Sequence, residues 1–222
     1  WRDTKDLRAF ARKFSSKNGE DGIIAEICRS LGIKTGYLVE FGAGDGIECN
    51  CSHLAVDKNW PGLMIEIGDN EFRALKAHYA NAPHVQAVHA SVTPENIEEI
   101  FAAANAPADF DLLSIDIDGY DYWVWKAIEK WKPKIVVIEY SAAVPPPRLW
   151  VLKRDPEWKA WDGSTDQGAS LASLAKLGRE KGYELVATDP VGVNAFFVLK
   201  ELVAYDKFTD PATVLFYSPP SY

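Results

Sequence analysis

Apolar positions along the chain switch between two spacings. Short apolar runs of strand length occupy residues 37–41, 63–66, 85–89, 112–116 and 134–140. Between them, apolar residues recur at helical spacing, which separates amphipathic helices from half-buried strands. Ile23, Ile24, Ile27 and Leu31 define a first helix, and Gly32 suits its C-terminal stop. A second helix is predicted from the glycine-rich turn at 42–46 to about Lys58, and a third over 70–79. Thr93 is a good N-cap with Pro94 at the first helical position, which predicts a helix over 95–104. Two more are expected over 122–131, stopped before Pro133, and over about 169–181. Runs at 183–187 and 194–199 pair as a closing hairpin across Asp189-Pro190-Val191-Gly192. Strands alternating with helices mark a parallel sheet. The expectation is an α/β fold, doubly wound, with a mostly parallel seven-stranded sheet ending in an antiparallel hairpin. One domain is expected over 1–222, with an N-terminal helical segment at 1–35. Residues 143–168 break the pattern: three consecutive prolines, then Trp150, Trp158 and Trp161, read as a long substrate-facing loop.

Composition narrows the class. No apolar run approaches the ~20 residues of a membrane helix, and the first residues lack the apolar stretch of a signal peptide. The absent initiator Met leaves open a place in a longer multidomain chain, and the loop tryptophans leave open a contact between copies in a homo-oligomer. Against 24 Lys+Arg stand 32 Asp+Glu, a net charge of −8. That balance, without a dense Lys/Arg run, disfavours nucleic acid and favours a small neutral or cationic ligand. Cys28, Cys49 and Cys51 are an odd set without a secretory signal, so reduced thiols in the cytoplasm are expected. Cys49-Asn50-Cys51-Ser52-His53 matches no standard zinc spacing; buried residues near a turn are the plainer reading.

Candidate chemistry sits where strands end, because open α/β sheets bind ligands at their carboxyl edges. The first strand runs into Glu40-Phe41-Gly42-Ala43-Gly44-Asp45-Gly46. Ile47 stands where a dinucleotide fingerprint needs its third glycine, and no P-loop is present. Glu40 and Asp45 would repel a pyrophosphate. They suit a ligand carrying an ammonium and a sulfonium, as S-adenosylmethionine (SAM) does. Glu66 ends the second strand about twenty residues on, where an acid can accept hydrogen bonds from ribose hydroxyls. Ser91, past the third strand, is a candidate adenine contact.

Several blocks together resemble FkbM-type SAM-dependent methyltransferases. They are residues 14–22 (FSSKNGEDG), 39–46 (VEFGAGDG), 112–121 (LLSIDIDGYD), 137–140 (VIEY) and 192–198 (GVNAFFV), and the likeness spans about 14–199. Five β-α units and a terminal hairpin are also the layout of the class I methyltransferase sheet; a plain dinucleotide-binding domain lacks the hairpin. The resemblance implies methyl transfer to a hydroxyl, often of a sugar in a glycan or glycosylated small molecule; methylation of a nitrogen or a peptide side chain, and a non-catalytic SAM-fold module in a larger glycan-assembly protein, are the alternatives. It implies that Glu40 holds the methionine ammonium, that Gly42, Ala43, Gly44 and Asp45 form the cofactor loop, and that Asn18 and Glu20 lie near the methionine end. Cys49-Asn50-Cys51 departs from the bulkier polar residues expected there.

An acceptor hydroxyl is a weak acid, so its proton must go to a base, or a cation must lower its pKa. Asp116 and Asp118 end the fourth strand and Glu139 the fifth. Neighbouring strand ends converge, so these three are the candidate catalytic acids and a candidate oxygen-rich site for Mg²⁺ or Mn²⁺. The plainer alternative is helix capping by Asp121 plus one SAM-binding carboxylate. Tyr120, Asp162, Asp166 and Asn194 are candidates to face the acceptor. His89 is the only histidine considered as a base.

Overall fold

The computed structural model describes residues 6–155, 168–203 and 216–220. Its strands are β1 (Leu38–Phe41), β2 (Gly62–Glu66), β3 (Val85–His89), β4 (Leu112–Ile115), β5 (Ile135–Glu139), β6 (Tyr183–Thr188) and β7 (Asn194–Leu199). They form one seven-stranded sheet in the order β3-β2-β1-β4-β5-β7-β6. The first five are mutually parallel, and β7 runs antiparallel to both β5 and β6. This is the doubly wound sheet with a closing hairpin expected from the apolar pattern.

Alternation along each strand divides the apolar residues between two layers. Val39, Phe41, Leu113, Ile115, Val136 and Ile138 join one core. It packs α4 (Ile97–Ala103), α5 (Asp121–Ala127) and α6 (Leu171–Glu180) through Phe101, Trp125 and Leu174. Leu38, Met64, Leu112, Ile135, Val137, Phe196 and Val198 join the other. There α1 (Glu20–Leu31), α2 (Ser52–Asp57) and α3 (Asp69–His78) supply Ile23, Ile27, Leu54 and Leu75. Burying both faces explains why strand residues are apolar at nearly every position.

Three helices are shorter than their sequence patterns. The helix expected from the glycine turn begins only at Ser52, because the Glu40 carboxylate takes the amides of Asn50 and Cys51, both at 2.9 Å. The helix expected over 122–131 stops at Ala127. The amides of Glu129 and Lys130 donate instead to Glu98 Oε1 at 2.8 and 2.7 Å. The helix expected from residue 95 becomes regular at Ile97, after a turn in which Thr93 Oγ1 accepts from the Glu95 amide at 3.3 Å. Among the described residues no helix is long and apolar enough to cross a membrane.

Candidate functional site

The same alternation assembles the site. Leu38, Leu112, Ile135, Val137, Phe196 and Val198 face the α1–α3 layer, so Glu40, Ser114, Asp116, Glu139 and Asn194, at even spacings from them, fall on that side too. They lie at or near the carboxyl edge of the parallel strands, and Glu40 is the cross-strand partner of Ser114, Glu139 of Asn194. A cavity of about 280 Å³ opens at that edge. Asn18, Glu20, Glu40, Gly42, Ala43, Gly44, Asp116, Asp118, Glu139 and Asn194 line it, as do Lys17, Glu48, Cys49, Asn50 and Val193.

Two carboxylates shape the glycine turn. Glu40 is 2% exposed; besides the two amides it accepts from Ser114 Oγ at 3.2 Å, and burial pushes its carboxyl up. Glu66 accepts from the Gly44 amide at 2.8 Å and the Gly68 amide at 2.7 Å, tying the turn to β2. Gly42 has φ +68, and a Cβ there would meet the Asp116 carbonyl oxygen at 1.8 Å. Only glycine permits this approach between the β1 and β4 termini.

The wall before α1 is held by a single side chain. Asp21 is 3% exposed and accepts from the amides of Phe14, Ser15 and Ser16 at 2.9, 2.9 and 2.7 Å. It also accepts from the Ser15 and Ser16 hydroxyls. Ser15 Oγ in turn accepts from the His53 amide at 3.0 Å and shares its one proton between Asp21 and the Cys49 carbonyl oxygen at 3.2 Å, fastening this strap to the glycine turn. Lys17 and Asn18 are thereby presented to the cavity. The Glu20 carboxylate accepts from the Asn18 amide at 2.8 Å and from Asn194 Nδ2 at 2.9 Å.

Opposite lies an acidic cluster. Carboxylate oxygens of Asp116, Asp118 and Glu139 all fall within 4.8 Å of one another. Burial and the charges of Asp121, Asp118 and Glu40 push Asp116 up to about 7. Burial, then the charges of Asp116, Asp121 and Asp118, raise Glu139 well above the ordinary range. Asp118 adopts a left-handed φ of +53, a conformation rare for a non-glycine residue and held here by surrounding bonds. Asp121 fixes that corner by accepting from the Ile117 and Gly119 amides at 3.0 and 2.9 Å. Asp121 is the first residue of α5 and makes no capping bond to that helix; its carboxylate holds the preceding turn instead, beside the acidic cluster.

Other candidates lie outside the lining. Glu66 stands behind the glycine turn. Asp45 is exposed and accepts from the Ile47 amide. Ser91 is exposed, and its carbonyl accepts from Asn96 Nδ2. Tyr120 is buried beneath the loop after β5, its hydroxyl bonded to the Asp155 backbone. His89 stacks on Phe72, bonds the Ile67 carbonyl and lies 3.5 Å from Asp69, and it does not line the cavity. Trp150 donates its amide to Ser170 and Ser173 at the start of α6. Asp162, Asp166, Trp158 and Trp161 lie outside the described residues. Lys17, Glu48, Cys49, Asn50 and Val193 also line the site, and no motif marks them as doing so in the sequence. The signal was adjacency: Lys17 precedes the Asn18-Gly19-Glu20-Asp21 block, and Asn50 lies between two cysteines whose burial, with neighbouring charge, raises their thiols.

A sheet of this order with a glycine turn and acids at its carboxyl edge defines a class I methyltransferase. The sequence model of the methyltransferase FkbM domain matches residues 38–185, and the chain belongs to that family of SAM-dependent methyltransferases. No curated protein matches it significantly. Among solved structures, the N-terminal domain of EvdMO1 with SAH bound is similar over 82% of this chain and 80% of its own, at 15% identity and a TM-score of 0.53. The same domain in the presence of SAH and D-fucose gives 14% identity and a TM-score of 0.50 over 81% and 80%. The CurJ carbon methyltransferase is similar over 80% of this chain and 52% of its own, at 12% identity and a TM-score of 0.51. These likenesses bear on the fold.

Proposed function

We propose that this methyltransferase moves the methyl group of SAM to a hydroxyl, most simply that of a sugar in a glycan or glycosylated small molecule. The observation that carries the reading is the carboxylate cluster of Asp116, Asp118 and Glu139 beside the glycine turn. The sulfonium already activates the methyl group, so the protein must align the acceptor and dispose of its proton. Glu20, Asn18 and Glu40 suit the methionine ammonium, and Glu66 retains lone pairs for the ribose. Asp116, poised near neutrality, accepts the hydroxyl proton as the acceptor oxygen takes the methyl group. The donor set also fits Mg²⁺ or Mn²⁺: three carboxylates, with Glu139 Oε2 buried and unpartnered. Such an ion would lower the pKa of the acceptor hydroxyl. The net charge of −8 argues for an uncharged or cationic acceptor over nucleic acid. The three free, buried cysteines suit a reducing compartment such as the cytoplasm.

The test is methyl transfer from isotopically labelled SAM across nucleotide sugars, glycans, amines and peptides, with and without chelator. Labelled methyl ethers are expected from the wild type. Asp116→Asn should bind SAH yet not turn over. Label appearing only on nitrogen, or full activity in that variant, would overturn the reading.

A further inference from the structure

We infer that Asn194 supplies a fourth oxygen to a divalent-cation site shared with Asp116, Asp118 and Glu139, and that Glu20 sets its orientation. The inference rests on the cation version of the proposed function and extends it to a neutral ligand from another strand.

The antiparallel entry of β7 beside β5 makes Asn194 the direct cross-strand partner of Glu139. Asn194 is only 3% exposed and lines the cavity. An amide side chain can present either end, and the neighbour decides which. Here the neighbour is Glu20, which accepts from the Asn18 amide, from Asn18 Nδ2 and from Asn194 Nδ2. A carboxylate surrounded by donors takes only the NH₂ end of Asn194, so Oδ1 is turned away from it.

That Oδ1 is buried and has no hydrogen-bond partner. The other such atom among the described residues is Glu139 Oε2, on the residue directly opposite. Buried acceptors are normally satisfied, so two unsatisfied ones on paired residues at one cavity call for a shared partner, either a proton carried by Glu139 or a cation. A proton joins this pair alone and leaves Asp116 and Asp118 without a counter-charge, whereas a cation serves all four residues. Lys17 lines the cavity and offsets part of the charge on Asp116 and Glu139, but it is one cation against three carboxylates. A hard divalent ion satisfies both acceptors, and amide carbonyls beside carboxylates are its usual ligands.

The experiment is a Mn²⁺ titration of the full chain, read from loss of the free-ion paramagnetic resonance signal, with SAH binding as the check on folding. Wild type should bind one ion. Asn194→Ala should weaken binding about tenfold or more. Asn194→Asp combined with Glu20→Gln, in which the glutamine amide donates to the new carboxylate, returns an oxygen to the same place and, with its fold checked by circular dichroism, should stay within a few-fold of wild type. Asp116→Asn losing the ion while Asn194→Ala keeps wild-type affinity would remove Asn194 from the site and leave the carboxylate site standing. Equal losses in Asn194→Ala and in the Asn194→Asp, Glu20→Gln pair would also overturn the inference, by assigning the residue a packing role. A wild type that binds no Mn²⁺ and methylates in chelator would take down the cation reading and this inference together, with methyl transfer intact.

Discussion

Removing the charge of Asp116 should stabilise the protein at alkaline pH while abolishing its chemistry. Asp116 stands at about 7 in the folded chain against an ordinary 3.8. The folded state therefore binds the proton more tightly than the unfolded state. Between those two values stability falls as pH rises, because the chain must ionise a carboxyl inside an acidic cluster. Three pKa units at ~1.4 kcal/mol each set a ceiling of ~4 kcal/mol. Glu139 and Asp121 titrate with Asp116, so one substitution relieves only part of it, and ~2 kcal/mol is expected. In a protein of this length that is a rise in Tm of about 4–8 °C. Thermal unfolding of wild type and Asp116→Asn at pH 5 and pH 8, in chelator, measures it. At pH 5 the unfolded chain has already ionised this carboxyl while the folded chain has not, so the variant's lead should be about a third of its value at pH 8, vanishing only below the ordinary 3.8. At pH 8 the variant should be the more stable. If the base works without a bound cation, wild-type turnover should decline as pH falls through about 7, where it takes its proton. A variant less stable than wild type at pH 8, or a gap independent of pH, would show that the cluster carries no such repulsion.

Three further outcomes follow from single contacts. Gly42→Ala places a Cβ against the Asp116 carbonyl oxygen, so soluble expression should collapse or unfolding by urea should show a loss of several kcal/mol, on the order of 3 or more. Asp21→Asn cannot accept three amides and two hydroxyls as the carboxylate does, and should cost about 2–3 kcal/mol in urea unfolding and raise the KM for SAM. Glu66→Gln keeps an acceptor for only one of Gly44 and Gly68, and calorimetry should show SAH binding weakened about tenfold, with far-ultraviolet circular dichroism unchanged.

The strands were legible because burial on both faces leaves little choice of residue: β7, buried at every position, lies where its apolar run predicts. Helix ends were less legible where a distant side chain decides them. Nothing near Asn50 announces that Glu40 will take its amide, and nothing near Glu129 announces Glu98. The site divides the same way. Counting by twos along β1, β4 and β5 places Glu40, Asp116 and Glu139 on one face, and the acids were found. The bond from Asn194 to Glu20 joins residues 174 positions apart and needs the tertiary fold. Glu66 and Tyr120 carry the right chemistry, but their polar atoms meet backbone groups of the protein.

The Asp21 knot has a kinetic consequence. Five hydrogen bonds to one carboxylate, joined to the glycine turn through Ser15, make the strap a pre-built wall, so no segment there has to be ordered when a ligand arrives. Association should proceed in one phase at a rate set by encounter, with little entropic toll on that side of the pocket, and variation in residence time among ligands should trace to the contacts they leave.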